Sequence, residues 1–176
     1  MPVARPRRVE PLFAVTVAVA IAACGVGCGP GGAPRSGAPA ASGRTVSLAL
    51  PSDGGQLVSI PAPGARAVVL DFFGPTCEPC KKKVPELVAR KAAIEQKGAR
   101  LFLVAVLADG ETTDAARSAL ASWGVKASFL VDAHDASRKE VGFSGLPATV
   151  VIDGEGRVIF TAQSSSTADD VVAALP

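Results

Sequence analysis

Thr76-Cys77-Glu78-Pro79-Cys80 ends one apolar run and opens a helical pattern. Upstream, Ala67 to Phe73 is apolar apart from Asp71 and is bounded by Gly64 and Gly74-Pro75, which reads as a short buried strand. Downstream, Val84, Leu87, Val88 and Ile94 share one helical face, and the pattern running from Glu78 to Lys97 stops at Gly98. Pro85 lies inside it and predicts a kink. Two thiols three residues apart at a helix start can close a small disulfide ring. A helix N-terminus and nearby cations favour thiolate over thiol, and Lys81, Lys82 and Lys83 follow at once. The thiolate is the nucleophile of disulfide exchange, so the stretch points to redox chemistry.

A CxxC can also be half of a zinc site, but structural zinc takes four ligands. Beyond the N-terminal segment the chain offers only Cys77, Cys80 and His134, so neither a metal nor a cofactor is expected. A purely structural disulfide of this span would close a very short loop and gain little chain entropy.

The start of the chain reads as targeting. Arg5, Arg7 and Arg8 form a cationic segment, and Leu12 to Ala23 is uncharged and too short for a comfortable transmembrane helix. The run ends Ile21-Ala22-Ala23-Cys24, which resembles a bacterial lipoprotein signal with Cys24 as the lipidated residue; the alternative is a secretory signal cleaved at small residues, leaving Cys24 and Cys28 as a pair. Cys28 fits lipidation less well, because Gly25 stands where an aliphatic residue is wanted. The chain has 18 basic and 16 acidic side chains, and removing residues 1–23 leaves 15 of each. The mature charge is near zero and no basic stripe with interleaved aromatics occurs, so nucleic acid is not an expected partner. Residues 24–43 are then a lipidated Cys and a Gly/Pro/Ala/Ser tether, whose composition cannot repay its ordering entropy. Residues 44–176 are one domain's worth of chain, expected to work as a monomer. An exported location tolerates disulfides, and a single thiol pair in the domain favours a working dithiol.

Val46 to Leu50 and Leu57 to Ile60 flank Pro51-Ser52-Asp53-Gly54-Gly55, a predicted hairpin. Leu101 to Ala108 is a continuous apolar strand, as expected of a sheet covered on both faces. Thr113 or Asp114 can cap a helix running to Trp123, itself a core or helix-end residue. Phe129 to Val131 is a short strand, and Ala136 to Val141 a helical turn. Ala148 to Ile152 and Arg157 to Thr161 form a second hairpin around Asp153-Gly154-Glu155-Gly156, and Thr167 to Leu175 a closing amphipathic helix. Strands alternating with helices, then an antiparallel pair, predict an α/β fold: a central mixed β-sheet with helices on both faces and an N-terminal β-hairpin.

With these elements in place, residues 44 to 175 resemble the thioredoxin-like superfamily, and within it the membrane-anchored bacterial thiol–disulfide oxidoreductases of the TlpA/ResA type. Val69-Leu70-Asp71-Phe72-Phe73 before the CxxC is similar to that family's central strand and active-site turn. Pro85 falls where the family's helix is kinked, and Gly145-Leu146-Pro147-Ala148-Thr149-Val150-Val151-Ile152-Asp153 resembles its cis-proline segment. The resemblance implies that Cys77 is the exposed nucleophile and Cys80 the buried resolving thiol, with Glu78-Pro79 restraining the turn. It implies a cis Pro147 against the pair, with Leu146 offering backbone to substrate. Asp71 takes the place of a buried acid, whose raised pKa would let it accept the resolving thiol's proton near neutral pH. Thr76 and Gly74-Pro75 depart from the family's usual turn, and Lys83 stands where some relatives place a Glu.

The implied function is an extracytoplasmic, lipid-anchored dithiol–disulfide oxidoreductase acting on disulfide-bearing exported proteins, apocytochrome c among the candidates, and supplied by a membrane electron donor. Glu78 beside Cys77 opposes an extreme pKa drop, which favours a reductase. The alternative is a copper-binding or copper-delivery module on the same fold, although that use wants a CxxxC with a placed His and His134 lies in a polar loop. A peroxidase is the third; Cys77 lacks the spaced Pro and Thr that resemble a peroxidatic site.

Overall fold

The computed structural model describes residues 43–162 and 165–176. The expected signal segment 1–23 and, apart from Gly43, the tether with Cys24 and Cys28 lie outside the described residues. The elements are β1 (Leu48–Pro51), β2 (Leu57–Ile60), β3 (Ala67–Phe73), α1 (Cys80–Val88), α2 (Lys91–Gln96), β4 (Ala99–Val106), α3 (Thr113–Ser122), β5 (Phe129–Asp132), a π-helical turn (Arg138–Gly142), β6 (Ala148–Asp153), β7 (Val158–Ala162) and α4 (Ala168–Ala173). β1 and β2 form an antiparallel hairpin, and the other strands form a mixed sheet in the order β5-β4-β3-β6-β7. β4 runs parallel to β3 and β5; β6 runs antiparallel to β3 and β7. Among the described residues no helix is long and apolar enough to cross a membrane.

β3 is central, and all seven of its residues are buried. Its side chains alternate between faces. Val68, Leu70 and Phe72 join Val46, Leu50 and Ile60 of the hairpin region, and Phe72 stacks on Phe143 just past the π-helical turn. Ala67 and Val69 pack against Leu87, Ile94 and Val171 from α1, α2 and α4, while Phe73 packs with Cys80, Val84 and Leu120. Each such large apolar side chain contributes on the order of 1.5–3 kcal/mol by burial. Helical cover is therefore unequal. The α-helices share one face, and the hairpin with the π-helical turn covers the other. Asp71 has the parity of Val69 and Phe73 and so points to the face that α1 covers.

The predicted helix from Glu78 to Lys97 is two helices. α1 contains Pro85, which has no N–H to donate. The break comes one turn later: Arg90 N–H bonds the Leu87 carbonyl three residues back, and the Arg90 backbone opens to ψ 3° before α2 begins. Its guanidinium is spent on Asp169 at 2.7 Å. The cap of α3 is Thr112 rather than Thr113 or Asp114; its extended backbone lets the side chain accept from Ala115 N–H. β4 starts and ends two residues earlier than the apolar run predicts, because Ala99 already pairs with Ala67. Trp123 caps α3 and packs edge-on to Phe73, so it is both helix end and core.

Candidate active site

Cys77 and Cys80 are joined by a disulfide, with their Cα atoms 5.3 Å apart. Cys80 opens α1 and is fully buried; Cys77 lies in the preceding turn and is half-buried, so it is the sulfur nearer solvent. Cys77 N–H bonds the Gly74 carbonyl and Cys80 N–H bonds the Cys77 carbonyl, which winds the turn into the helix. A β-carbon at Gly74 would stand 3.3 Å from Leu146 Cδ1 and 3.7 Å from the Cys77 β-carbon. The turn therefore rests directly on Leu146, and a side chain at position 74 would push them apart. The Leu146-Pro147 bond is cis.

Asp71 is 1 % exposed. In the antiparallel register of β3 and β6 it lies opposite Thr149, whose hydroxyl donates to Asp71 Oδ1 at 2.7 Å. Asp71 Oδ2 has no hydrogen-bond partner. Burial pushes the carboxyl up from its ordinary 3.8 to about 7, against smaller downward pulls from the Thr149 hydrogen bond and the Lys83 charge. Asp71, Lys83, Glu86, Pro147, Thr149 and Thr167 line a cavity of about 20 Å³, room for roughly one water.

The three lysines do not form one cationic patch. Lys81 pairs with Glu78 at 3.9 Å and Lys82 with Glu86 at 3.9 Å, both in solvent. Lys83 turns inward and donates to the Ser166 carbonyl. Glu78 is 86 % exposed, so water screens its charge and it has little leverage on the Cys77 thiol. Two residues with no place in the sequence-level site belong beside it. Thr149 could have been found from strand pairing, since a β6 starting after Pro147 and pairing with β3 puts Thr149 across from Asp71. Glu111, whose carboxylate accepts from the Thr76 hydroxyl at 3.1 Å, carries no sequence signal, because the contact spans 35 residues. Among the described residues no three His, Cys, Asp or Glu side chains converge as a metal site would need.

A model of the Redoxin family matches residues 35–175. The chain belongs to the Redoxin family. Within this family's reach, it is 31% identical over 94 residues to the thiol-disulfide oxidoreductase ResA of Bacillus subtilis (strain 168), covering 53% of this chain and 51% of that one. The chain thus spans about half the length of the curated relatives it matches. Among solved structures it is similar to StoA from Bacillus subtilis, with a TM-score of 0.64 at 18% identity over 76% of this chain and 99% of that one. It is also similar to the pneumococcal exposed lipoprotein thioredoxin Etrx1 from Streptococcus pneumoniae, with a TM-score of 0.60 at 19% identity over 73% of this chain and 97% of that one. These neighbours establish a thioredoxin-like fold for this Redoxin-family chain.

Proposed function

We propose that this protein is an extracytoplasmic protein-disulfide oxidoreductase, tethered through a lipid on Cys24 and working as a reductase of exported proteins. The observation that carries the chemistry is the asymmetry of the Cys77–Cys80 pair: one sulfur near solvent, the other buried on the face where a carboxyl with a pKa of about 7 lies. Starting from the dithiol, the Cys77 thiolate attacks one sulfur of a substrate disulfide. A Cys77–substrate S–S bond forms, the substrate bond breaks, and the departing sulfur takes a proton from solvent. Cys80 then gives its proton to the Asp71 carboxylate and attacks Cys77 Sγ. The Cys77–Cys80 bond forms and the Cys77–substrate bond breaks. The second substrate sulfur leaves as a thiolate that takes a proton from solvent, and the substrate has gained two electrons. A dithiol donor at the membrane restores the pair.

Leu146 and cis Pro147 stand beside the turn and are the proposed backbone contact for the substrate segment, while Glu78 and Pro79 hold the spacing of the two thiols. The name ResA carried by a relative with 31% identity supports this activity, and the words exposed lipoprotein carried by a structural neighbour support the anchor. The domain is taken as 44–176, preceded by signal and tether. In cells producing the Cys80→Ser variant, mixed disulfides with exported proteins should accumulate on Cys77, and in the Cys77→Ser variant they should not. Equal trapping by both variants would remove the assigned roles.

A further inference from the structure

Glu111 sits in the turn that follows β4, and its carboxylate makes two bonds. Oε1 accepts from the Thr76 hydroxyl at 3.1 Å, and Oε2 accepts from Ala108 N–H at 2.9 Å. The backbone closes the same turn, with Glu111 N–H bonded to the Ala108 carbonyl at 3.0 Å. A half-buried carboxylate is thereby fixed in one place and tied to the residue immediately before Cys77. β4 and β6 flank β3 on opposite sides. Cys77 consequently lies between Leu146-Pro147, at the start of β6, and the Glu111 turn, beyond the end of β4. The β-carbon built at Gly74 meets both sides, 3.3 Å from Leu146 Cδ1 and 3.8 Å from the Val106 carbonyl oxygen.

We propose that Glu111 is a positioning residue of the Cys77 site. It holds the turn that presents Cys77 through Thr76, and it keeps a fixed negative charge beside that thiol which lowers its thiolate fraction. The inference rests on Cys77 being the attacking sulfur. It assigns to Glu111 the restraining charge that exposed Glu78 is poorly placed to exert. The other charged groups around the turn are engaged elsewhere or lie apart: Glu78 with Lys81, Lys82 with Glu86, Lys83 with Ser166, Asp71 with Thr149 beneath α1, and Asp109 exposed in the Glu111 loop. A neighbouring negative charge disfavours the ionised form of a thiol, and the Thr76 bond holds the Glu111 carboxylate at the residue next to Cys77. A less stabilised thiolate makes the dithiol less favoured and the pair more reducing.

The test is iodoacetamide alkylation of reduced Cys77 in the full chain, in the Cys80→Ser background, followed peptide by peptide by mass spectrometry from pH 5 to 10. Glu111→Gln should move the midpoint down by about half a pH unit and speed alkylation about threefold below it. The gap should shrink in 1 M salt, where the Debye length falls to about 3 Å. Glu111→Asp keeps the charge and should restore most of the parent profile. Thr76→Val, a change at an exposed residue that leaves the fold alone, should shift the midpoint in the same direction by less. A Glu111→Gln profile that overlays the parent, or an equal shift in Glu111→Asp, overturns the proposal. Alkylation needs no catalytic turnover, so its failure is distinguishable from failure of the oxidoreductase assignment, which is read separately from disulfide exchange by the wild-type chain.

Discussion

Asp71→Asn should remove most of a pH dependence of stability that one buried carboxyl creates. In the folded chain Asp71 holds its proton up to about pH 7, because its burial disfavours the charge; in the unfolded chain it releases it near 3.8. The unfolded state therefore binds fewer protons across that window. The stability this group contributes is fully present below pH 3.8 and is lost as pH rises through about 7. At 1.36 kcal/mol per pH unit the whole loss is about 4 kcal/mol, of which about 3 kcal/mol falls between pH 5 and pH 8.5. That is a large share of the ~5–15 kcal/mol typical of a domain. Urea unfolding of oxidised wild type and Asp71→Asn at both pH values isolates it, since other titrations cancel in the comparison. Wild type should lose about 3 kcal/mol more than the variant on going to pH 8.5. The same substitution should flatten the rise with pH, centred near 7, in the rate at which the mixed disulfide resolves, because only ionised Asp71 can take a proton. Parallel stability losses in the two proteins would refute the buried, protonated carboxyl.

Equilibration with glutathione at neutral pH should place the Cys77–Cys80 potential nearer thioredoxin's roughly −270 mV than the roughly −120 mV of a strong periplasmic oxidant; a value at the oxidising end would make the protein a disulfide donor. Cys24→Ser should release the protein from membranes in soluble form while Cys28→Ser leaves it attached, as read by fractionation and by mass analysis of acyl chains. Cleavage elsewhere with no acyl chain would remove the anchor.

What was legible in the sequence was local. The apolar runs of β3, β5, β6 and β7 and the turn residues between them mark where those strands lie along the chain, and the CxxC before a helical pattern marks the candidate site. Helix ends were less legible. The split between α1 and α2 falls at Arg90, where the backbone opens to ψ 3° after the Pro85 turn, and the apolar periodicity that continues to Ile94 does not report it. The burial of Asp71 follows from the family resemblance rather than from the apolar run, which an exposed strand-end Asp would equally fit, and Thr149 enters only through the pairing of β6 with β3. The three lysines show the opposite failure. Adjacency in sequence promised one cationic patch, yet successive helical positions are rotated about 100° apart, so Lys83 faces the Asp71 cavity while Lys81 and Lys82 face water. Glu111 was invisible because its two bonds depend on how the β4–α3 loop folds back to the turn.

The most direct test of the central claim is catalysis of dithiothreitol-driven reduction of a protein disulfide, with insulin as substrate and the full chain as catalyst. Wild type should accelerate the reaction well above the uncatalysed rate, and Cys77→Ser should return it to background. A wild-type chain no faster than dithiothreitol alone, or a Cys77→Ser variant as active as wild type, would contradict the account.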